Sequence, residues 1–328
     1  MDRERALRLL DLSRQARWAF PSSSGRPVPP DAPPGVEALA MERDAFADAA
    51  TVLVEHGDRP AATELAANVW RLFVLAREDA KGRAFLAMVL DRPGPTDLSR
   101  DRALALYGDG LLAFRLGDLA ASRARCEAAL SAAGTAADGE AEGLSLLGLS
   151  RVELSEGRPA KAREHAAAAR SLLRPLGEAF VQAPLHMLAQ ATRLTGSTDE
   201  AAALFAESLA LNRRLCDRGM VLVELHNLGH VELRRGNVAA AERCFSECAA
   251  LDAANDDPYD VALRLFNRAA VALARDDHAR ASRLLDEAQE VLARENVSLA
   301  TDDAHEFDDL RRRLAAGPSA RGRADGGA

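Results

Sequence analysis

Lysine is almost missing from this 328-residue sequence: Lys81 and Lys161 are the only two, and neither follows the Gly-x-x-x-x-Gly run of a phosphate loop. ATPase chemistry of that kind is therefore not expected. No apolar run approaches the ~20 residues that span a bilayer. The opening MDRERALRLLDLSR alternates charge with apolar side chains and so lacks the continuous apolar stretch of a secretory signal. Aromatic residues make up 4% against 48% hydrophobic, so a core must come from Ala and Leu in closely packed helices. Lys and Arg number 42 against 50 Asp and Glu, a net charge of −8. That balance disfavours a general nucleic-acid or anionic-membrane surface, though not a local basic patch. The four cysteines, Cys126, Cys216, Cys244 and Cys248, lack the paired spacing of zinc ribbons. Cys244 and Cys248 stand one helical turn apart and read as packing, and free buried thiols suit a reducing cytoplasm, the expected location. Ser145, Ser150 and Ser155 sit in no Gly-x-Ser-x-Gly elbow. Asp256-Asp257 and Asp276-Asp277 fall at predicted turns, where short acidic side chains cap helices. Neither an enzyme nor a cofactor is expected.

What the chain does have is a period. Gly117, Gly157, Gly196, Gly236 and Asp276 follow one another at steps of 40, 39, 40 and 40 residues, an interval that marks stacked repeats. Eleven positions before each turn stand Leu106, Leu146, Leu185, Leu225 and Leu265. Seven before stand Gly110, Ser150, Ala189, Gly229 and Ala269, and five after stand Ser122, Ala162, Ala201, Ala241 and Ala281. Two helices joined by a short turn approach closely only where neither carries a bulky side chain, so the two small columns mark their crossing. Cys126, Ala166, Phe205, Phe245 and Leu285 form a further column on the second helix, with Ala129, Ala169, Ser208, Cys248 and Ala288 three residues on. This is the stripe of a buried helical face. The fold class follows: an all-α, right-handed α-solenoid of stacked helix-turn-helix units.

Asn227-Leu228-Gly229 in the first helix, Gly117-Asp118 at the turn and Ala241 at the second-helix crossing resemble the tetratricopeptide repeat family. The period is longer than that family's ~34 residues. The extra length falls at 131–143, 174–184 and 252–260, which implies longer second helices or longer linkers. His56-Gly57-Asp58, the apolar run 66–76 with Trp70 and Phe73, and the unit at 104–130 also resemble the helical repeat region of large actinobacterial ATP-dependent LuxR-type transcription regulators. The resemblance spans about residues 38–296 and rests mainly on packing motifs. The phosphate loop is missing, and no segment of DNA-binding size lies outside the repeats. The resemblance therefore implies a sensor or scaffold part without the nucleotide-binding and DNA-binding steps.

In chain order, residues 1–20 read as an N-terminal amphipathic helix and 21–36 as a Pro-rich linker, because proline cannot continue a helix. The helix is expected to cap the solenoid rather than dock a partner. Residues 37–102 form an irregular helical lead-in, in which Arg77 could take a turn position. Five regular units fill 103–298. Residues 299–315 form a capping helix whose acidic first half and Arg311 to Arg313 suit the helix dipole, and 316–328 a disordered tail.

In the family's geometry, certain first-helix columns face a concave groove. On this chain they place Tyr107, Arg151, His186, Gln190, Arg193, His226, Asn227, His230, Arg234, Phe266 and Asn267 in a partner-binding groove, where amides can bond a peptide backbone and Arg a carboxylate. His226 and His230 have the i,i+4 spacing of a two-histidine metal site, with His186 in the equivalent column one unit earlier. No Glu completes a His-Glu-x-x-His pattern and the intervening Asn-Leu-Gly belongs to the packing pattern, so no metal is expected. The expected function is a non-enzymatic scaffold or adaptor for a protein or peptide, in bacterial transcriptional or signalling regulation by resemblance. The alternative is a sensor whose groove binds a small molecule or short signalling peptide and changes the shape of the solenoid.

Overall fold

The computed structural model of the protein describes residues 1–18, 39, 41–91, 99–252, 257–299 and 301–317. The expected linker at 21–36 and most of the tail lie outside the described residues. Among those described, the regular structure is helical. Four helices lead in: α1 (Arg3–Trp18), α2 (Arg43–Glu55), α3 (Arg59–Leu75) and α4 (Asp79–Leu90). Then come α5 (Arg100–Arg115) with α6 (Leu119–Ala136), α7 (Gly139–Ser155) with α8 (Pro159–Leu173), and α9 (Glu178–Leu194) with α10 (Thr198–Arg214). These are followed by α11 (Arg218–Arg234) with α12 (Val238–Leu251), α13 (Pro258–Ala274) with α14 (His278–Arg294), and finally α15 (Thr301–Ala315).

The turn column works as its residues dictate. Gly117 sits at φ 79°, and the N–H of Asp118 returns to the carbonyl of Ala113 while that of Gly117 returns to Phe114. This paired bonding satisfies the last carbonyls of α5. Asp118 then accepts from the N–H of Ala121 at 3.0 Å and caps α6, so Gly-Asp ends one helix and begins the next. Arg77 at φ 56° and Asp276 at φ 59° occupy the same left-handed conformation with a side chain. Cys216, Ala137 and Asn296 do likewise at further turns. The extra period length resides mostly in the helices: α6 runs on to Ala136, and α9 starts early enough to contain Pro184.

In the α5–α6 and α7–α8 pairs the small columns meet as the sequence requires. Ser150 Oγ donates to the carbonyl of Ala162 at 2.9 Å, joining the two columns within one unit. A Cβ on Gly110 would lie 2.7 Å from Cys126 Sγ, and one on Gly229 would enter the ring of Phe245. Side chains at these positions would force the helices apart.

The chain forms two compact units, one of residues 1–197 and 211–217, the other of residues 198–210 and 218–328. In the first, α1 lies against α2 and α3 and buries Ala6, Leu9 and Leu10. Asn68 Nδ2 donates to the buried Ser13 Oγ at 3.1 Å. Its core carries Trp70 edge-on to Tyr107 at 5.5 Å and Phe73 stacked on Phe85 at 5.3 Å. In the second unit, Phe266, Leu285, Phe307 and Leu310 belong to one apolar cluster. None of the described helices is long and apolar enough to cross a membrane.

Candidate functional site

In the first unit the predicted groove residues do not form an open surface. Tyr107 is fully buried. The reason is Gly108: a Cβ there would lie 2.6 Å from the indole of Trp70, so its absence lets Trp70 press against α5 and Tyr107 fills the space beside it. Arg151 follows the ring inward and donates to the Tyr107 hydroxyl at 3.3 Å. Arg71, next to Trp70, is buried with its guanidinium 4.4 Å above that indole. On α9, Arg193 donates to Gln190 Oε1 at 3.1 Å and is itself buried, while His186 is half-buried. Tyr107 is thus a core residue, not a groove contact.

The second unit gathers its six predicted residues on α11 and α13, and α15 lies over them. His226 and His230 project from successive turns of α11 with ring centroids 4.6 Å apart. Gly229 between them leaves room for Phe245 of α12, whose ring lies 5.1 Å from that of His230. Phe266 of α13 stacks on His230 from another direction at 5.0 Å. Asn227 turns back to its own helix and donates to the carbonyl of Val223 at 3.0 Å. Asn267 Oδ1 lies 2.9 Å from His230 Nε2. Between two phenyl rings His230 has little access to water, and burial pushes its pKa down to about 4 against the opposing pull of Glu306. It is neutral at pH 7.

The groups that meet these residues come from α15. Asp303 accepts a hydrogen bond from the hydroxyl of Tyr259 on α13, and its Oδ1 stands 3.5 Å from His226 Nε2. Burial pushes the Asp303 carboxyl up, but the contacts from His226 and Tyr259 outweigh it and hold it below the usual range. Glu306 Oε1 accepts from Arg234 at 3.3 Å and its Oε2 faces His230 Nδ1 at 3.6 Å. Phe307 packs on Phe266 at 5.7 Å and Leu310 is buried one turn further on. The helix expected to close the end of the stack therefore also covers the predicted groove face of this unit. Sequence reasoning missed Tyr259, Asp303, Glu306 and Phe307. The available signal was the i,i+3,i+7 spacing of Phe307, Leu310 and Leu314, which gives this short, highly charged helix an apolar edge to bury.

A second concavity of about 560 Å³ lies among α12, α13 and the start of α14. Arg264, Arg268, Arg275 and Arg280 line it with Phe245, Cys248 and Val271. Arg264 pairs with Asp252 at 2.6 Å and Arg275 with Glu242 at 2.5 Å.

No protein-family model and no curated protein matches the chain. Solved structures do. A Rap protein complexed with competence and sporulation factor superposes on 95% of this chain and 80% of its own, with a TM-score of 0.61 at 13% identity. A chain of the APC/C hetero-tetramer Cut9-Hcn1 covers 95% of this chain over 53% of its own, with a TM-score of 0.59 at 15% identity. Nearly identical TPR-like repeats from Podosopora anserina cover 61% of this chain and 99% of their own, with a TM-score of 0.50 at 17% identity. At these identities the likeness carries the fold, which is that of TPR-like helical repeats.

Proposed function

We propose that the protein is a non-enzymatic scaffold that binds a protein or peptide partner, and that the α11–α13 face of the second unit is where it does so. The observation that carries this reading is the seat of α15. A helix offering two carboxylates and an apolar edge already lies over Arg234, His226, His230 and Phe266. The face is thereby complementary to an acidic amphipathic helix, the helix-in-groove mode of recognition. The TPR-like fold supports the same reading, since one neighbour is a complex with competence and sporulation factor and another belongs to a hetero-tetramer. The resemblance to transcription regulators adds a regulatory setting in a bacterial cytoplasm.

The test is direct. A labelled peptide with the sequence TDDAHEFDDLRRRLA is titrated, with anisotropy as readout, into the full chain carrying Phe307→Ala and Leu310→Ala, which loosen the internal helix. Binding is expected, and is expected to be lost when the peptide carries the same two substitutions. A loosened chain that fails to bind the native peptide defeats the proposal. The arginine-lined cavity favours a second reading, a sensor for a small anionic ligand. It predicts a ligand-dependent change in small-angle scattering that Arg268→Ala with Arg280→Ala removes.

A further inference from the structure

The two histidine–carboxylate contacts between α11 and α15 are long for direct hydrogen bonds. With the amide oxygen of Asn267 as its partner, His230 Nε2 carries the ring proton. Its Nδ1 then presents a lone pair to Glu306 Oε2 at 3.6 Å. Two electron-rich atoms face each other beyond hydrogen-bond reach. One turn earlier His226 Nε2 is 3.5 Å from Asp303 Oδ1, and its buried Nδ1 has no hydrogen-bond partner among the described residues. Donor atoms of His226, His230 and Glu306 all lie within 4.8 Å of one another.

The 3.5 and 3.6 Å histidine–carboxylate separations suit donor atoms around one cation, on which His226, His230 and Glu306 would close by side-chain rotation. In a tetrahedral zinc site with bonds of about 2.1 Å, neighbouring donor atoms stand about 3.4 Å apart. We propose that His226, His230 and Glu306 form a binding site for a divalent transition metal of the zinc class, with Asp303 beside it as a fourth donor and second carboxylate. Two imidazoles with carboxylate select zinc, nickel or copper over calcium and magnesium, which take oxygen shells. The surroundings match a metal site. Asn267 fixes the His230 tautomer through the nitrogen that does not face Glu306, the usual outer support of a ligating histidine. Arg234 holds the other oxygen of Glu306, and the Tyr259 hydroxyl orients Asp303. Asp303 and Glu306 together outweigh Arg234, leaving a local negative charge for a dication to neutralise.

The inference departs from the sequence expectation of no metal. The third ligand comes from α15, 76 positions beyond His230, where no local motif reveals it. Its consequence is mechanical: a bound ion ties α15 to α11, so the groove closes when metal is present. The site stands whether or not the groove binds a partner.

The experiment titrates cobalt(II) into the full, metal-stripped chain and follows the visible absorption of tetrahedral cobalt, with zinc competition by calorimetry. Wild type is expected to bind one ion and zinc to displace it. Glu306→Gln, on the last helix, is expected to retain the fold by circular dichroism and to weaken binding by at least tenfold to a hundredfold, as loss of even outer-shell partners does. His230→Asn is expected to abolish the spectrum. Amide exchange across residues 303–314 is expected to slow with zinc in wild type and not in Glu306→Gln. The proposal falls if wild type shows no saturable binding, or if binding persists unchanged in Glu306→Gln, which would place the ion elsewhere, for instance at Cys244 and Cys248.

Discussion

Phe307→Ala is the perturbation that most directly separates a docked α15 from one that merely ends the chain of helices. Phe307 is 8% exposed, lies on Phe266, and carries the guanidinium of Arg311 at 5.3 Å from its ring. Truncating a buried Phe costs about 3–5 kcal/mol. The lower end applies here, because the site lies at the edge of its cluster and a short helix can shift to fill part of the space. Leu310 and the contacts of Asp303 and Glu306 remain, so the loss falls on the local opening of α15 rather than on the whole unit. With about 1.4 kcal/mol to each factor of ten, a loss near 3 kcal/mol multiplies the undocked population roughly a hundredfold. Amide exchange read by mass spectrometry resolves this. Protection of residues 303–314 should fall by that factor while α11 and α13 keep theirs. Arg312→Ala, on an exposed side chain of the same helix, should leave protection unchanged. Equal loss across α11, α13 and α15 would mean that the helix is part of the global core. No loss at all would mean that Phe307 does not hold the helix, and the argument for a groove closed by α15 would fail with it.

Gly229→Ala should destabilise the second unit despite the better helix propensity of Ala: the new Cβ enters the ring of Phe245, and overpacking of this kind costs about 1–3 kcal/mol against roughly 1 kcal/mol gained. Denaturation with urea checks it, and Phe245→Leu in the same chain should recover part of the loss. In the first unit, Glu153 and Glu156 are held below the usual carboxylate range. Burial opposes the shift at Glu153, and Arg123 with Arg158 overrides it; at Glu156 the Arg123 contact leads. Their stabilisation is complete above the ordinary carboxylate pKa near 4.5 and is lost as pH falls through the depressed folded values. Arg123→Met should therefore destabilise the chain at neutral pH and flatten the acid limb of stability against pH, read by circular dichroism. Burial pushes the Cys126 thiol up to about 12 and that of Cys248 to about 11, whereas Cys216 is exposed. A thiol reagent at pH 8 should label Cys216 first and Cys126 only on unfolding, as peptide mapping would show.

The difference between what the sequence announces and what it hides follows from the range of the interactions. Gly117 and Asp118 act on residues within five positions of themselves, so a short pattern carries them. The small columns act across one turn, and Ser150 reaches Ala162 only twelve residues away. Arg77 and Asp276 were legible solely because the period pointed at them; Ala137, Gly177, Cys216 and Asn296 stand 20 positions after Gly117, Gly157, Gly196 and Asp276 in the same register, but that column mixes residue types, and Ala and Cys do not signal a left-handed turn as glycine and asparagine do.

Exposure of a first-helix position is a different kind of quantity, because it depends on what comes to lie on that position. Tyr107 is buried by Trp70 from 37 positions earlier, a contact permitted by the glycine next to it. Phe266 is 2% exposed, with Phe307 of α15 packed on it. A family groove column can therefore name the face but not its occupant. The composition of α15 argues that its occupancy is conditional. Asp303 and Glu306 pair with His226, His230 and Arg234, and among the described side chains of α15 only Phe307 and Leu310 are buried. An acidic partner helix with a longer apolar edge could supply the same charges with more buried area, and at roughly 25 cal/mol per Å² of additional apolar surface it would displace α15. That exchange requires the native acidic residues of the internal helix to be replaceable in kind, so Asp303→Asn with Glu306→Gln should make the groove easier for an acidic peptide to enter.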